Sequence, residues 1–364
     1  MLGIGAGQTE PGFAGSVWYH DSGLPGIEMT PKGGTDLLPW PDIMSLFDRR
    51  LIIVMGKGGV GRTTVAAALA AAAARHGKRT LLLQTNAKER LSKFFACGPV
   101  GEEVVHVRDN LWAVNTNPRA ALREYGMMVL KYKTIYNAVF ENKMVRYFLR
   151  AVPGLEDYSM LGKAWYHTTE TSAGKPRFDT VILDGPATGH SVTLLRIPQV
   201  ILDTVPAGPL TKDAKSANDL LRDPARTATM LVTLAEDMPV NETLELASKI
   251  KGVLKMPLDR LVVNGLYPDR LTRPGSARRV LEAFEHAGSL GALEVDPTLS
   301  PLVSPGALER SRRRLNEHHL ERLAKELPLP TAQLPMLFAR DFGAAEVDML
   351  SRMLDQQLAS ELAA

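Results

Sequence analysis

The chain has 364 residues, a formal net charge of +3 and 45% apolar residues, enough for a sizeable core. So small a positive charge does not indicate a nucleic-acid-binding protein. No apolar window reaches the length of a membrane span, and the first residues lack the charged start of a signal peptide, so we expect a cytoplasmic protein. The single cysteine, Cys97, excludes a disulfide within the chain and a metal site built from several of its cysteines.

The first part of the chain is rich in residues that break regular structure. Residues 1–48 contain 9 Gly and 5 Pro, and they show neither helical nor strand periodicity. Such a composition does not favour a packed core. We therefore predict a flexible or irregular tail over 1–48, followed by a single domain over 49–364.

A glycine-rich turn at 56–64 lies between an apolar run at 51–55 and an alanine-rich segment at 65–74. A strand, such a turn and a helix in this order are typical of a phosphate-binding loop (P-loop). Glycines let the backbone N–H groups and the helix N-terminus approach a polyphosphate. In such loops Arg62 has the position of the phosphate-contacting lysine, and Thr63 that of the hydroxyl that binds Mg²⁺. The residues predicted to bind the nucleotide here are Gly56, Gly58, Gly59, Val60, Gly61, Arg62, Thr63 and Thr64.

A second apolar strand ends in an acidic residue. Residues 178–184 read Phe-Asp-Thr-Val-Ile-Leu-Asp, and Gly-Pro-Ala-Thr-Gly-His follows. The carboxyl ends of parallel strands face the ligand in an open α/β sheet, so we expect Asp184 to lie beside the P-loop. A carboxylate at that place fits Mg²⁺ coordination, usually through water. We therefore assign Thr63 and Asp184 to a Mg²⁺ site.

Strand and helix patterns alternate along the rest of the domain. This alternation indicates an α/β fold with one doubly wound, mostly parallel sheet flanked by helices. Apolar residues spaced three and four apart after residue 118 predict amphipathic helices, so we place a helical insertion at about 118–176. The further strands are predicted at 79–84, 111–115, 229–234, 260–263 and 333–337, and the further helices at about 211–222, 240–254, 275–287, 305–327 and 344–362.

Two stretches together resemble a known family. The string at 184–190, Asp-Gly-Pro-Ala-Thr-Gly-His, and the string Leu-Leu-Arg-Ile-Pro at 194–198 resemble the switch II signature of the ArsA ATPases. These ATPases drive arsenite pumps or target tail-anchored membrane proteins. Lys57, directly after the first glycine of the P-loop, is similar to the early lysine of the deviant P-loop class that includes this family. The similarity extends over about 49–343.

The resemblance implies a dimeric ATPase that uses ATP and Mg²⁺. It implies that Lys57 reaches the partner subunit's nucleotide and that Asn264, at a strand end, contacts adenine. Opening and closing of the dimer would serve a protein or membrane-protein client, without nucleic acid and without direct membrane insertion. One P-loop per chain means that the dimer forms either with a second copy or with a paralogous ATPase.

Two residues depart from the family pattern. Arg62 keeps the charge of the usual lysine but has a bulkier, planar side chain. The family's Asp-Pro-Ala-His string, whose aspartate positions or activates the attacking water, aligns with Asn-Ala-Lys-Glu at 86–89. Asn86 can orient a water but cannot take its proton. We therefore expect weak or partner-dependent hydrolysis, with catalytic roles for Lys57, Arg62, Asn86 and Asp184; the alternative is a non-hydrolysing, nucleotide-binding scaffold or regulatory subunit paired with a paralogue.

Overall fold

The computed structural model describes residues 44–85, 88–130, 155–186, 188–205, 207–269, 271–272, 274–275, 278–279, 282–283, 286 and 300–360. Within these residues, eight strands form one sheet and two very short strands form a separate hairpin. The strands are β1 (Leu51–Gly56), β2 (Thr80–Thr85), β3 (Val105–Arg108), β4 (Leu111–Thr116), β5 (Thr171–Ser172), β6 (Lys175–Pro176), β7 (Thr180–Asp184), β8 (Thr227–Leu234), β9 (Leu258–Leu266) and β10 (Thr331–Pro335).

The sheet has the order β10-β9-β8-β1-β7-β2-β4-β3. Its strands pair in parallel, except that β3 at one edge is antiparallel to β4. β1 lies in the interior, and every one of its residues is buried, as its continuous apolar run predicts for a strand covered on both faces. The chain leaves β1 at the sheet edge where open α/β folds bind ligands.

Helices cover both faces of the sheet. They are α1 (Met44–Asp48), α2 (Arg62–Arg75), α3 (Leu91–Phe95), α4 (Pro118–Leu130), α5 (Leu155–Thr169), α6 (Thr188–Thr204), α7 (Pro209–Arg222), α8 (Asp237–Lys249), α9 (Ser300–Glu326) and α10 (Ala344–Ser360). One layer contains α1, α2, α3 and α10, and the other contains α5 to α9. A short π-helical turn, Ile250–Leu254, continues α8. Within the described residues, no helix is both long and apolar enough to cross a membrane.

The alanine-rich helix α2 is packed between the sheet and α10. All of its residues from Val65 to Ala74 are buried. The hydroxyl of Ser351 on α10 donates a hydrogen bond to the carbonyl oxygen of Ala68 at 2.6 Å. Small alanine side chains permit this close approach of two helices, which holds α2 and therefore its N-terminus in place.

The predicted doubly wound, mostly parallel sheet is confirmed, while several local boundaries differ. Residues 44–48 were predicted to belong to the tail, but they form α1 because Leu46 and Phe47 pack into the core, at 1% and 4% exposure. The last strand begins two residues before its predicted position at 333–337, with Ala332 and Leu334 as its buried residues.

The helical insertion predicted at 118–176 is only partly described. It contains α4 and α5, and residues 131–154 lie outside the described ranges. Its last residues form the hairpin of β5 and β6 instead of a helix, since Gly174 takes the left-handed conformation of a tight turn. The predicted helix at 275–287 also lies largely outside the described residues.

Candidate functional site

The P-loop connects β1 to α2 in a conformation that two of its glycines allow. Gly61, directly before α2, has a φ of 89°, and a Cβ there would lie 2.3 Å from Nδ2 of Asn264. A Cβ at Gly56 would lie 2.3 Å from the carbonyl oxygen of Val232 on β8. A side chain at either position would therefore displace the loop. The first turn of α2 begins immediately afterwards, and its N–H groups without intrahelical partners form a natural anion site.

The two predicted Mg²⁺ ligands lie side by side beneath this loop. Asp184 ends β7, the neighbour of β1, and is 4% exposed. The hydroxyl of Thr63 donates to its Oδ2 at 2.6 Å. Burial raises the pKa of Asp184, although the hydrogen bond from Thr63 and the charge of Arg62 oppose the shift. A buried carboxylate beside a hydroxyl is an oxygen pair that a divalent cation stabilises.

Gln84, which the sequence analysis missed, completes this cluster. It is 1% exposed, and its Nε2 lies 3.4 Å from Oδ2 of Asp184. Its Oε1 is buried and has no hydrogen-bond partner among the described residues. An unpaired buried acceptor of this kind costs about 1–3 kcal/mol. Water molecules bound to Mg²⁺ would donate to such an acceptor, so the three side chains fit a hydrated Mg²⁺ ion.

Arg62, the first residue of α2, contacts the segment that follows Asp184. Its guanidinium donates to the carbonyl oxygen of Gly185 at 2.6 Å and also to that of Pro186. Burial lowers the pKa of Arg62, and the charge of Asp184 opposes this shift. The side chain predicted to contact phosphate therefore joins the start of α2 to the string that resembles switch II.

Lys57, the early lysine of the P-loop, forms an ion pair within its own chain. Its Nζ lies 2.7 Å from Oε1 of Glu242 on α8. The two side chains are 25% and 36% exposed, so the pair lies at the surface of the protein. Glu242 is, after Gln84, a second residue to which the sequence analysis assigns no role. It is 185 positions from Lys57, so no local sequence pattern connects the two residues.

A cavity of about 600 Å³ opens beside the P-loop, a volume typical of small-molecule sites. The loop side of the cavity includes Gly61 and Thr64, and Asn264 lies next to them near the end of β9. Nδ2 of Asn264 donates to the carbonyl oxygen of Val60 at 2.9 Å. The apolar side chains of Met336 and Phe342 also line the cavity. Apolar side chains of this kind can contact the face of a planar group.

The structure thus brings most of the predicted site residues together. At one edge of the sheet lie Gly56, Gly61, Thr63, Asp184 and Asn264. The other two loop glycines, Gly58 and Gly59, are exposed, with open space at their Cβ positions. Asn86, the residue predicted to orient water, lies outside the described residues. The sequence signal for Gln84 is a polar residue near the end of an otherwise apolar strand. Its position beside Asp184 follows from the register of β2 and β7, which pairs these two residues.

Comparison with known proteins relates this arrangement to one family. The family profile described as an anion-transporting ATPase, ArsA, matches residues 49–207 and 209–283. ATPase BagA of Mycobacterium tuberculosis is 28% identical over 272 residues, which cover 73% of this chain and 78% of that protein. ATPase get3 of Sclerotinia sclerotiorum is 24% identical over 330 residues, covering 86% and 93% of the two chains. ATPase GET3 of Kluyveromyces lactis is 25% identical over 270 residues, covering 64% and 77%.

Proposed function

Because the chain belongs to the anion-transporting ATPase (ArsA) family, we propose that it binds ATP together with Mg²⁺ and hydrolyses the nucleotide slowly. The observation that carries this proposal is the buried cluster of Thr63, Asp184 and Gln84 directly beneath the P-loop. The cluster contains a hydroxyl, a carboxylate and an unpaired acceptor. A hydrated Mg²⁺ ion would bind the two oxygen groups and donate hydrogen bonds to the acceptor.

Each part of the site has a function in this proposal. The backbone N–H groups of the loop and of the first turn of α2 hold the phosphates. Mg²⁺, when bound, neutralises negative charge on the phosphates. The hydroxyl of Thr63 and the carboxylate of Asp184 hold the ion, directly or through water. The Nδ2 atom of Asn264 already binds Val60, which leaves its Oδ1 to accept a hydrogen bond from the adenine amino group.

The proposal includes a dimer, formed with a second copy or with a paralogous ATPase. In the dimer, Lys57 leaves Glu242 and reaches the nucleotide of the partner subunit. Closure of the dimer on ATP and its opening after hydrolysis then serve a protein or membrane-protein client in the cytoplasm. Nucleic acid and direct insertion into a membrane have no part in this cycle.

The alternative function is that of a nucleotide-binding scaffold that does not hydrolyse ATP. The contacts of Arg62 favour it, because Nη1 of the guanidinium already donates to two backbone carbonyl oxygens, which leaves only Nε and Nη2 to contact the transferred phosphate. Asn86 also favours the scaffold function, because an asparagine cannot take a proton from the attacking water. In this alternative, the paralogous subunit supplies the complete catalytic site.

Three measurements test the proposal: the steady-state rate of ATP hydrolysis, the affinity for nucleotide, and the molecular mass with and without ATP. We expect slow, Mg²⁺-dependent turnover and a dimer favoured by ATP. A Gly61→Ala variant is the control for contaminating activity, since its Cβ would displace Asn264 and the loop. Tight binding without turnover would select the scaffold function, and failure to bind ATP would contradict both functions.

Gln84 offers a test of the metal site that does not depend on turnover. Gln84→Leu removes the unpaired acceptor. We expect the Mg²⁺ concentration that half-saturates ADP binding to rise about tenfold, because residues that hydrogen-bond to metal ligands typically affect metal affinity by this much. Fluorescent ADP titrated at several Mg²⁺ concentrations measures this. ADP affinity without Mg²⁺ should not change.

The matched control for Gln84→Leu is Thr180→Val at the other end of β7. The hydroxyl of Thr180 is equally buried and also lacks a hydrogen-bond partner among the described residues, but it lies at the sheet edge opposite the P-loop. Its removal should leave the Mg²⁺ dependence unchanged. A Gln84→Leu protein with the Mg²⁺ dependence of the wild type would show that Gln84 does not support the ion.

A further inference from the structure

A second cavity, of about 360 Å³, lies far from the P-loop. It is enclosed by the C-terminal halves of α6 and α7 and by the turn that follows α8. Arg222 precedes β8 and Lys255 precedes β9, and both strands run parallel to β1. The cavity therefore lies at the edge of the sheet where these strands begin, opposite the edge that carries the P-loop.

The side chains around this cavity carry an excess of positive charge. Arg196, Arg222 and Lys255 line it, and the only carboxylate among the lining residues is that of Asp203. Oδ1 of Asp203 accepts a hydrogen bond from Nε2 of Gln199 at 2.8 Å. Within the described part of the chain, none of the three cations forms an ion pair or a side-chain hydrogen bond.

Basic residues on the same helices are not all paired. Lys215 pairs with Asp219 at 2.7 Å, whereas the exposed Lys212 and Lys251 have no ion pair among the described residues. Arg222 differs from these exposed lysines, because its Nε is buried and still has no hydrogen-bond partner among the described residues. A buried, charged donor without an acceptor is unfavourable unless a ligand supplies one.

The remaining lining residues define the size and chemistry of a ligand. Asn218, which is 8% exposed, adds a nearly buried amide, and Leu221, Leu254 and Met256 add apolar surface. The volume is near the lower end of the range for small-molecule sites. Guanidinium groups match phosphate and carboxylate groups in shape as well as in charge.

We infer that this cavity is a binding site for a small organic anion carrying a phosphate or carboxylate group, separate from the nucleotide site. The anionic group is bound by Arg196, Arg222 and Lys255, and the Asn218 amide and the leucine side chains contact the remainder of the molecule. Neither the P-loop nor the Mg²⁺ site takes part in this binding.

Calorimetric titration with two probes, glycerol 3-phosphate and citrate, tests the inference. The variant Arg196→Gln/Lys255→Gln removes the two exposed cations, whose loss the fold should tolerate. The matched control, Lys212→Gln/Lys251→Gln, removes the same charge from exposed positions on α7 and on the same turn, outside the cavity. The P-loop is intact in all three proteins, so any probe bound there contributes equally.

We expect the wild type and the control to bind at least one probe with the same affinity. The cavity variant should bind that probe at least about tenfold more weakly, because two charge-assisted contacts are lost. Equal binding by all three proteins would overturn the inference and indicate binding at another site, such as the P-loop. Equal weakening in both variants would also overturn it and indicate attraction by general surface charge. Absence of saturable binding of both probes by the wild type into the millimolar range would also overturn it, whatever the outcome for ATP.

Discussion

Replacing Lys57 by alanine is expected to lower ATP turnover at least about 100-fold, while ADP affinity changes by less than about threefold. The backbone of the loop, Thr63 and Asp184 remain to bind the nucleotide and Mg²⁺. A cation that acts on the transferred phosphate mainly stabilises the transition state. Its loss therefore lowers the rate of hydrolysis and leaves the affinity for nucleotide nearly unchanged. Steady-state turnover and ADP titration of the same preparation measure both quantities. Unchanged turnover would contradict the proposed role of Lys57.

Mixing two inactive variants tests whether Lys57 acts on its own nucleotide or on that of the partner subunit. A Lys57→Ala subunit retains Asp184, and an Asp184→Asn subunit retains Lys57. If Lys57 acts across the interface, a mixed dimer contains one complete site, and random mixing should restore about a quarter of wild-type turnover. If Lys57 acts within its own chain, neither site is complete and the mixture stays inactive.

The ion pair with Glu242 provides the matched control for Lys57. Because both side chains are partly exposed, the pair contributes about 0–1 kcal/mol, and little free energy is required to release Lys57. Glu242→Gln keeps the shape of the side chain but removes its charge. We expect it to leave folding unchanged and to raise turnover, since Lys57 is then free more often. A loss of turnover as large as that in Lys57→Ala would instead show that Glu242 itself belongs to the catalytic site.

The sequence predicts the centre of this protein well because the signals there are local. An apolar run, a glycine-rich turn and an alanine-rich helix are adjacent between 51 and 75, and their order alone predicts a P-loop. Asp184 is distant in sequence, but the rule that parallel strands present their carboxyl ends at one edge predicts its position. Its hydrogen bond from Thr63 agrees with this rule.

Contacts that depend on side-chain direction could not be predicted in this way. Lys57 and Glu242 are 185 positions apart, and Arg62 and Gly185 are 123 apart. No periodicity connects such residues, and a charged side chain on a loop or helix start has several possible partners. The importance of Gln84 likewise depends on the register between β2 and β7, which a single strand pattern does not specify.

Replacing Asp184 by asparagine is expected to abolish turnover and, in the absence of Mg²⁺, to raise the melting temperature. The buried carboxylate is destabilising when no cation is bound, as the raised pKa of Asp184 indicates. The substitution removes this charge and retains an oxygen for the hydroxyl of Thr63. We expect an increase of about 2–4 °C, which corresponds to about 1 kcal/mol in a domain of this size.

The pH dependence of this stability difference has a definite sign. Below the ordinary pKa of a carboxyl group, Asp184 is protonated in both the folded and the unfolded state, and the two proteins should melt at similar temperatures. As the pH rises from there to the raised pKa, the unfolded wild type releases the proton first, so its folded state loses stability. The asparagine variant does not titrate at this position. The difference in melting temperature should therefore grow with pH and become constant once the folded carboxyl group has also ionised.

Addition of Mg²⁺ and ADP should reverse the order of the two proteins. The wild type gains the free energy of binding the ion and the nucleotide together, whereas the variant lacks the carboxylate that supports the ion. Melting curves with ADP alone and with ADP plus Mg²⁺ separate the two contributions. If Asp184→Asn melted below the wild type without Mg²⁺ at neutral pH, the carboxylate would be a stabilising structural group. A functional ligand is expected to behave in the opposite way, because its burial is unfavourable until the cation binds.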